Sequence, residues 1–122
     1  MMRFLGEADG TAVTSTKGSI LLLHDTEQDC LNWFENANVA ASGTQGSIPV
    51  MLYKDGFDVW MGCRRGTAPS FKHATLDLTD ATDLATYWDF DSTDIGKNDI
   101  PAMVGTILKT YRDANADACN QV

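Results

Sequence analysis

A chain of 122 residues with 43% apolar and 21% charged side chains has the size and composition of one folded domain, which rules out disordered and fibrous classes. Its net charge of −8 sets up a field that repels phosphates, so direct binding of nucleic acid is not expected. The longest aliphatic run, Ile20 to Leu23, is far short of the roughly 20 residues a membrane span needs, so no membrane association is expected either.

The opening decapeptide MMRFLGEADG breaks into glycine and acidic residues before any apolar stretch develops, so no secretory signal is visible. Cys30, Cys63 and Cys119 are an odd number without a CxxC pair, a pattern that suits free thiols in a reducing compartment and does not suit zinc. A cytoplasmic protein is the expectation.

In chain order, Arg3 to Glu7, a piece around Val13 and Ser19 to His24 read as two or three short strands, with turns at Asp9-Gly10 and Lys17-Gly18. Asp25 to Gln28 then offers an N-cap with a glutamine three positions on, and Cys30, Leu31, Phe34 and Ala37 are spaced as the stripe of a helix ending near Ala40. After a small-residue loop over 41–47, Pro49 to Lys54 and Phe57 to Arg64 flank Asp55-Gly56, the two-residue signature of a β-hairpin. Within the second of these strands Phe57, Val59, Met61 and Cys63 alternate with Asp58, Trp60, Gly62 and Arg64, which places Cys63 on the apolar face and Arg64 on the other.

Ala74 to Leu78 reads as a further short strand, and from Asp80 to Phe90 the apolar residues Ala81, Leu84, Ala85 and Trp88 recur at helical spacing. The same wheel gathers Asp80, Asp83, Tyr87 and Asp91 on an adjacent face. The last helix is capped by Asn98, holds Pro101 in its first turn and carries the stripe Ile100, Met103, Val104, Ile107, Leu108 and Tyr111, with a tail that frays from about Ala114. The sum is a single α+β domain over 1–122, with a mostly antiparallel sheet of about five strands covered by two or three helices.

Four stretches carry residue types suited to chemistry. Asp89-Phe90-Asp91-Ser92-Thr93 resembles the DxDx[T/V] motif of haloacid dehalogenase-like phosphatases, which implies a nucleophilic first aspartate and an acid/base second one. In that family the motif ends the first strand of a parallel core, whereas here it follows a helix pattern and fewer than 30 residues remain. Asp89, Asp91 and Asp94 offer oxygen ligands to a weak divalent ion, yet the glycine and glutamate of a calcium loop are missing at the required positions, so no metal is expected. Cys63 lies beside Arg64 and Arg65, which favours a thiolate, but the strand alternation makes it a small core hydrophobe. His24-Asp25 sits where a strand meets a helix start, and reads as a capping-region pair because no GxSxG elbow exists to serve as its nucleophile. Arg64, Arg65, Lys72 and His73 form the one basic cluster, able to clamp a small anionic ligand with Trp60 on the same strand face as Arg64.

Between Asp77 and Asp99 seven aspartates face a single lysine. That concentration favours a non-catalytic interaction protein, of inhibitor, immunity or nucleic-acid-mimic type, docking a basic protein partner through Asp80, Asp83, Tyr87, Asp89, Asp91 and Asp94. The alternatives are an anionic-ligand binder using Trp60, Arg64, Arg65, Lys72 and His73, and an enzyme of unrecognised family built on Asp89/Asp91 or His24/Asp25. No cofactor motif is present, and an exposed sheet edge would allow a homodimer.

Overall fold

The computed structural model describes residues 1–5, 16–34 and 46–119, for 115–119 the backbone only. The chain divides into two compact units, Met1–Phe71 and Lys72–Val122.

The first unit is built on a three-stranded mixed sheet of order β1-β3-β2, from β1 (Met2–Arg3), β2 (Ser19–Leu23) and β3 (Asp58–Gly62). β1 runs antiparallel to β3, with Arg3 opposite Trp60, while β2 runs parallel to it from Ser19 opposite Asp58 to Leu23 opposite Gly62. Every residue of β3 is buried, as a central strand covered on both faces must be. Its Met61 clusters with Cys30 and Cys63, ringed by Met2, Phe4, Leu22, Trp33 and Phe34. Phe4 also meets the ring of Tyr53 edge-on at 4.8 Å.

A parallel pair needs a crossover between its strands. Here it contains α1 (Ile48–Lys54), where the sequence predicts the first arm of a hairpin. Pro49 fits the first turn of a helix, where its missing N–H costs nothing, and Tyr53 lies four residues on, so both fall on the buried side. Of Asp55-Gly56 only Gly56 takes positive φ, at +93°, while Asp55 stays at −77°, and the pair stops a helix instead of turning a hairpin. The Gly56 N–H donates to the Tyr53 carbonyl at 2.9 Å and that of Asp55 to Met51 at 3.0 Å. The small α+β class therefore stands, whereas the mostly antiparallel five-stranded sheet does not: three strands are present among the described residues, and the longest pairing is parallel.

Two further expectations fail for local reasons. The helix from Asp25 is replaced by turns and a 3-10 turn at Asn32–Phe34, because short polar side chains capture the N–H groups a helix would use. Asp25 Oδ1 accepts from Thr26 N–H and Asp29 Oδ1 from Leu31 N–H, both at 2.6 Å, while Asn32 Oδ1 accepts from Asp29 N–H at 2.7 Å. Its remainder, 35–40, lies outside the described residues, as do the turn at Asp9-Gly10 and the piece around Val13. The strand expected at Ala74 to Leu78 is a turn, in which His73 Nδ1 accepts the N–H groups of Thr75 and Leu76 at 3.2 and 2.9 Å.

The second unit is helical. α2 (Ala81–Tyr87) starts at Asp80, whose carboxylate accepts from the N–H groups of Thr82 and Asp83. α3 (Ser92–Asp94) leads through a π-helical turn, Ile95–Asp99, into α4 (Ile100–Cys119). The helix thus begins at Asp91, seven residues before the expected Asn98 cap, and the wider turn sits directly ahead of Pro101, which has no N–H to continue the α pattern. α4 continues past Ala114, and of its expected stripe Ile107 is buried while Val104, Leu108 and Tyr111 are exposed.

Candidate functional site at the strand ends

Because β2 and β3 are parallel, the loops that leave their carboxyl ends start side by side, the place where open sheets of this kind hold ligands. The first residue past β2 is His24, only 6% exposed, and just past β3 comes Arg64. The Arg64 backbone N–H donates to His24 Nε2 at 3.2 Å, which leaves the proton of the neutral ring on Nδ1, 2.8 Å from the Asp25 carbonyl. The same carbonyl accepts from Arg64 Nη2 at 2.8 Å. Arg64 Nε is buried without a hydrogen-bond partner among the described residues, a free donor of a fixed cation at this strand end.

Beyond Arg64 the chain turns back through Gly66, at φ +80°, and is tied by Thr67 Oγ1 to the Arg64 carbonyl at 2.8 Å and by Ser70 Oγ to that of Cys63 at 2.9 Å. A disulfide joins Cys30 in the first loop to Cys63 at the end of β3. The expectation of three free thiols is corrected there, although Cys63 does face the core as its alternation requires. The arrangement is a polar rim in which the His24 imidazole and the Arg64 guanidinium are tied to the loop after β2, with Arg64 Nε left as the unpartnered donor. It can orient donors toward a polar atom of a ligand.

The residues expected to form a basic ligand site fall in both units. Trp60 is buried, its Nε1–H donating to Asp58 Oδ2 at 2.5 Å and its ring lying under the Arg3 guanidinium at 5.0 Å. Arg64 is at the strand ends with half-buried Arg65 following it, whereas Lys72 and His73 belong to the second unit, where His73 caps its own turn.

The aspartates expected to face a partner are largely turned onto the chain itself. Asp80 caps α2, Asp83 accepts the Asp77 N–H at 2.8 Å, and Asp91 with Asp94 forms a capping box. The Thr79 hydroxyl and N–H hold the Asp77 carboxyl below its ordinary range, and the N–H groups of Asp94 and Thr93 do the same for Asp91. Asp89 is exposed, and Asp91 begins a helix, not the end of a strand as the phosphatase motif requires. Tyr87 and Trp88 are reversed: Tyr87 is buried and edge-on to Trp88 at 5.2 Å, while Trp88, half exposed, borders an open concavity of about 490 Å³ with Thr82, Ala85, Thr86 and Asp89. Among the described residues no group of three or more His, Cys, Asp and Glu is placed to hold a metal ion.

No protein-family model and no solved structure matches the sequence. Curated proteins do. The chain is 33% identical to human lipase member M over 96 residues, 79% of this chain and 20% of that protein. It is 32% identical to lipase 1 of Drosophila melanogaster over 111 residues, 84% of this chain and 24% of that one. With human lysosomal acid lipase/cholesteryl ester hydrolase the identity is 34% over 92 residues, covering 75% and 21%. The chain spans about a fifth to a quarter of the length of these relatives. Their shared character as lipases overturns the expectation of a non-catalytic docking protein or simple anion binder. The cytoplasmic expectation rested on free thiols, and the Cys30–Cys63 disulfide removes that ground. No described helix is long and apolar enough to cross a membrane.

Proposed function

We propose that the chain belongs to an ester hydrolase of the lipase kind, acting on fatty acyl esters, in which the loops after β2 and β3 form a wall of the ester site. What carries the reading is likeness to lipases over 79% and 84% of this chain in two of its relatives, joined to a polar rim at the ends of a parallel strand pair.

Ester hydrolysis develops negative charge on the carbonyl oxygen, and hydrolases with strand-end sites meet it with backbone N–H groups, one of them from the loop after a parallel strand. Loop 24–32 has that place. Its Thr26 N–H is engaged by the Asp25 carboxylate, so a carbonyl oxygen gains that donor only when the carboxylate swings aside. His24 and Arg64, both bonded to Asp25, hold the loop's entry still. The sequence contains no GxSxG turn, so in this reading its residues shape the pocket and do not supply the attacking hydroxyl. The disulfide goes with a compartment that permits disulfides.

An antibody against the chain, used to isolate the native polypeptide from its host, gives a direct test. The captured polypeptide is expected to hydrolyse p-nitrophenyl esters of fatty acids and to be labelled by a fluorophosphonate probe. A captured polypeptide that does neither would remove the reading.

A further inference from the structure

The loop after β2 is held to the end of β3 three times, by covalent bonding, through a ring nitrogen and through the Arg64 guanidinium. Cys30 lies six residues beyond His24 in the first loop, and Cys63 directly precedes Arg64. Both sulfurs are in the buried cluster with Met61, so the bridge is enclosed in the core beneath the strand-end rim. Above it, the His24 ring receives the Arg64 N–H and points its own Nδ1 proton at the next carbonyl of the same loop. Nothing in a helical or hairpin reading of this region needs these two groups next to each other.

We infer that the Cys30–Cys63 disulfide is a positioning device for the ester site, fixing loop 24–32 on β3 so that His24 stays in its Nδ1–H form and Asp25, Thr26 and Arg64 keep one arrangement. The inference rests on the reading of that loop as part of the ester site, so its test observes the loop and not turnover.

The chemistry balances as an ordinary thiol exchange. Two thiols give up two protons and two electrons to a disulfide-class oxidant, which leaves as a dithiol. In reverse, a dithiol reductant attacks one sulfur, displaces the other as a thiolate and closes on itself, leaving Cys30 and Cys63 as thiols. Burial of both sulfurs makes the bridge slow to reduce in the folded chain, in keeping with a permanent brace.

The experiment has three parts on the full chain. Alkylation of the untreated protein after unfolding is expected to modify one cysteine, Cys119, of the three; three adducts overturn the inference. In ¹⁵N spectra the oxidised protein should show His24 with its proton on Nδ1, and a proton on Nε2 overturns it equally. In the variant Cys30→Val/Cys63→Ala, which refills the core volume, the Arg64 amide should exchange about tenfold faster and the single His24 tautomer should be lost while the fold is kept. A folded variant with His24 and Arg64 unchanged shows that the bridge only adds bulk stability. Should that variant not fold, the thiol count and the tautomer of the wild-type chain still decide.

Discussion

Asp58 is a carboxylate only 4% exposed, in the central strand of the first unit, and its removal should be among the most damaging single changes there. It accepts from Arg3 Nε at 2.8 Å, from Trp60 Nε1 at 2.5 Å and, at the limit of a hydrogen bond, from Ser19 Oγ at 3.5 Å. In Asp58→Ala the buried indole N–H has no acceptor, a cost of about 1–3 kcal/mol. The Arg3 side chain is 34% exposed, so it recovers water on one side and its loss adds about 1 kcal/mol, short of the larger penalty of a wholly buried pair. Together the loss comes to about 3 kcal/mol, and Asp58→Asn, which keeps an oxygen for the indole, should lose about half of that. Urea unfolding at pH 7, with amide exchange at Val59 and Met61 as the local reporter, measures both. Arg3→Met strands the carboxylate, whereas Arg3→Met with Asp58→Leu removes both charges and should lie closer to wild type than either single change. A loss under about 0.5 kcal/mol for Asp58→Ala, or strictly additive single and double changes, would refute the reasoning.

Two more outcomes follow from features of the backbone and the caps. Gly56→Ala forces an L-residue to φ +93° and sets its Cβ 3.2 Å from Thr16 Oγ1, so the first unit should lose about 1–2 kcal/mol; Gly18→Ala, at φ +94° with open space around its Cβ, isolates the backbone share of that loss in the same urea assay. Asp77 and Asp91 have folded-state pKa values below the ordinary 3.8, so their contribution is complete above that value and disappears as pH falls through the lower folded values. Residue-resolved NMR should therefore show the turn at Asp77–Thr79 and the start of α3 loosening only below about pH 4, and loosening that begins above pH 5 would contradict it.

What the sequence made legible depended on whether neighbours or distant residues decide the structure. The helix over 81–87 is legible from the spacing of Ala81, Leu84 and Ala85, although its cap is Asp80 and its buried residue is Tyr87. β2 was legible as a short run of aliphatic residues between turns. Residues 48–54 read as a strand because an apolar run beside Asp55-Gly56 satisfies a helix stop and a hairpin equally, and Pro49 is the signal that separates them. That ambiguity conceals the crossover, hence the parallel pairing, hence the strand-end site, where His24 reads from sequence as a capping residue. The bond between Cys30 and Cys63 could not be read at all, since their spacing fits no motif and only the fold brings them together. The aspartates between 77 and 94 invited an electrostatic reading, while most are local hydrogen-bond acceptors for helix starts and turns.

The parallel pairing of β2 with β3 has a consequence for how the chain folds. Leu23 and Gly62 are partners 39 positions apart, and a strand pair that distant must close a long loop before any hydrogen bond compensates. Once Cys30 and Cys63 are joined, the route from Leu23 to Gly62 is seven residues forward to the bridge and one back from it. A non-local pairing becomes nearly a local one, and the closure entropy falls by about 1.4 kcal/mol. Oxidation early in biosynthesis would then speed formation of the sheet, and a chain that reaches its strand pairing while still reduced would assemble the slowest part of its topology unaided.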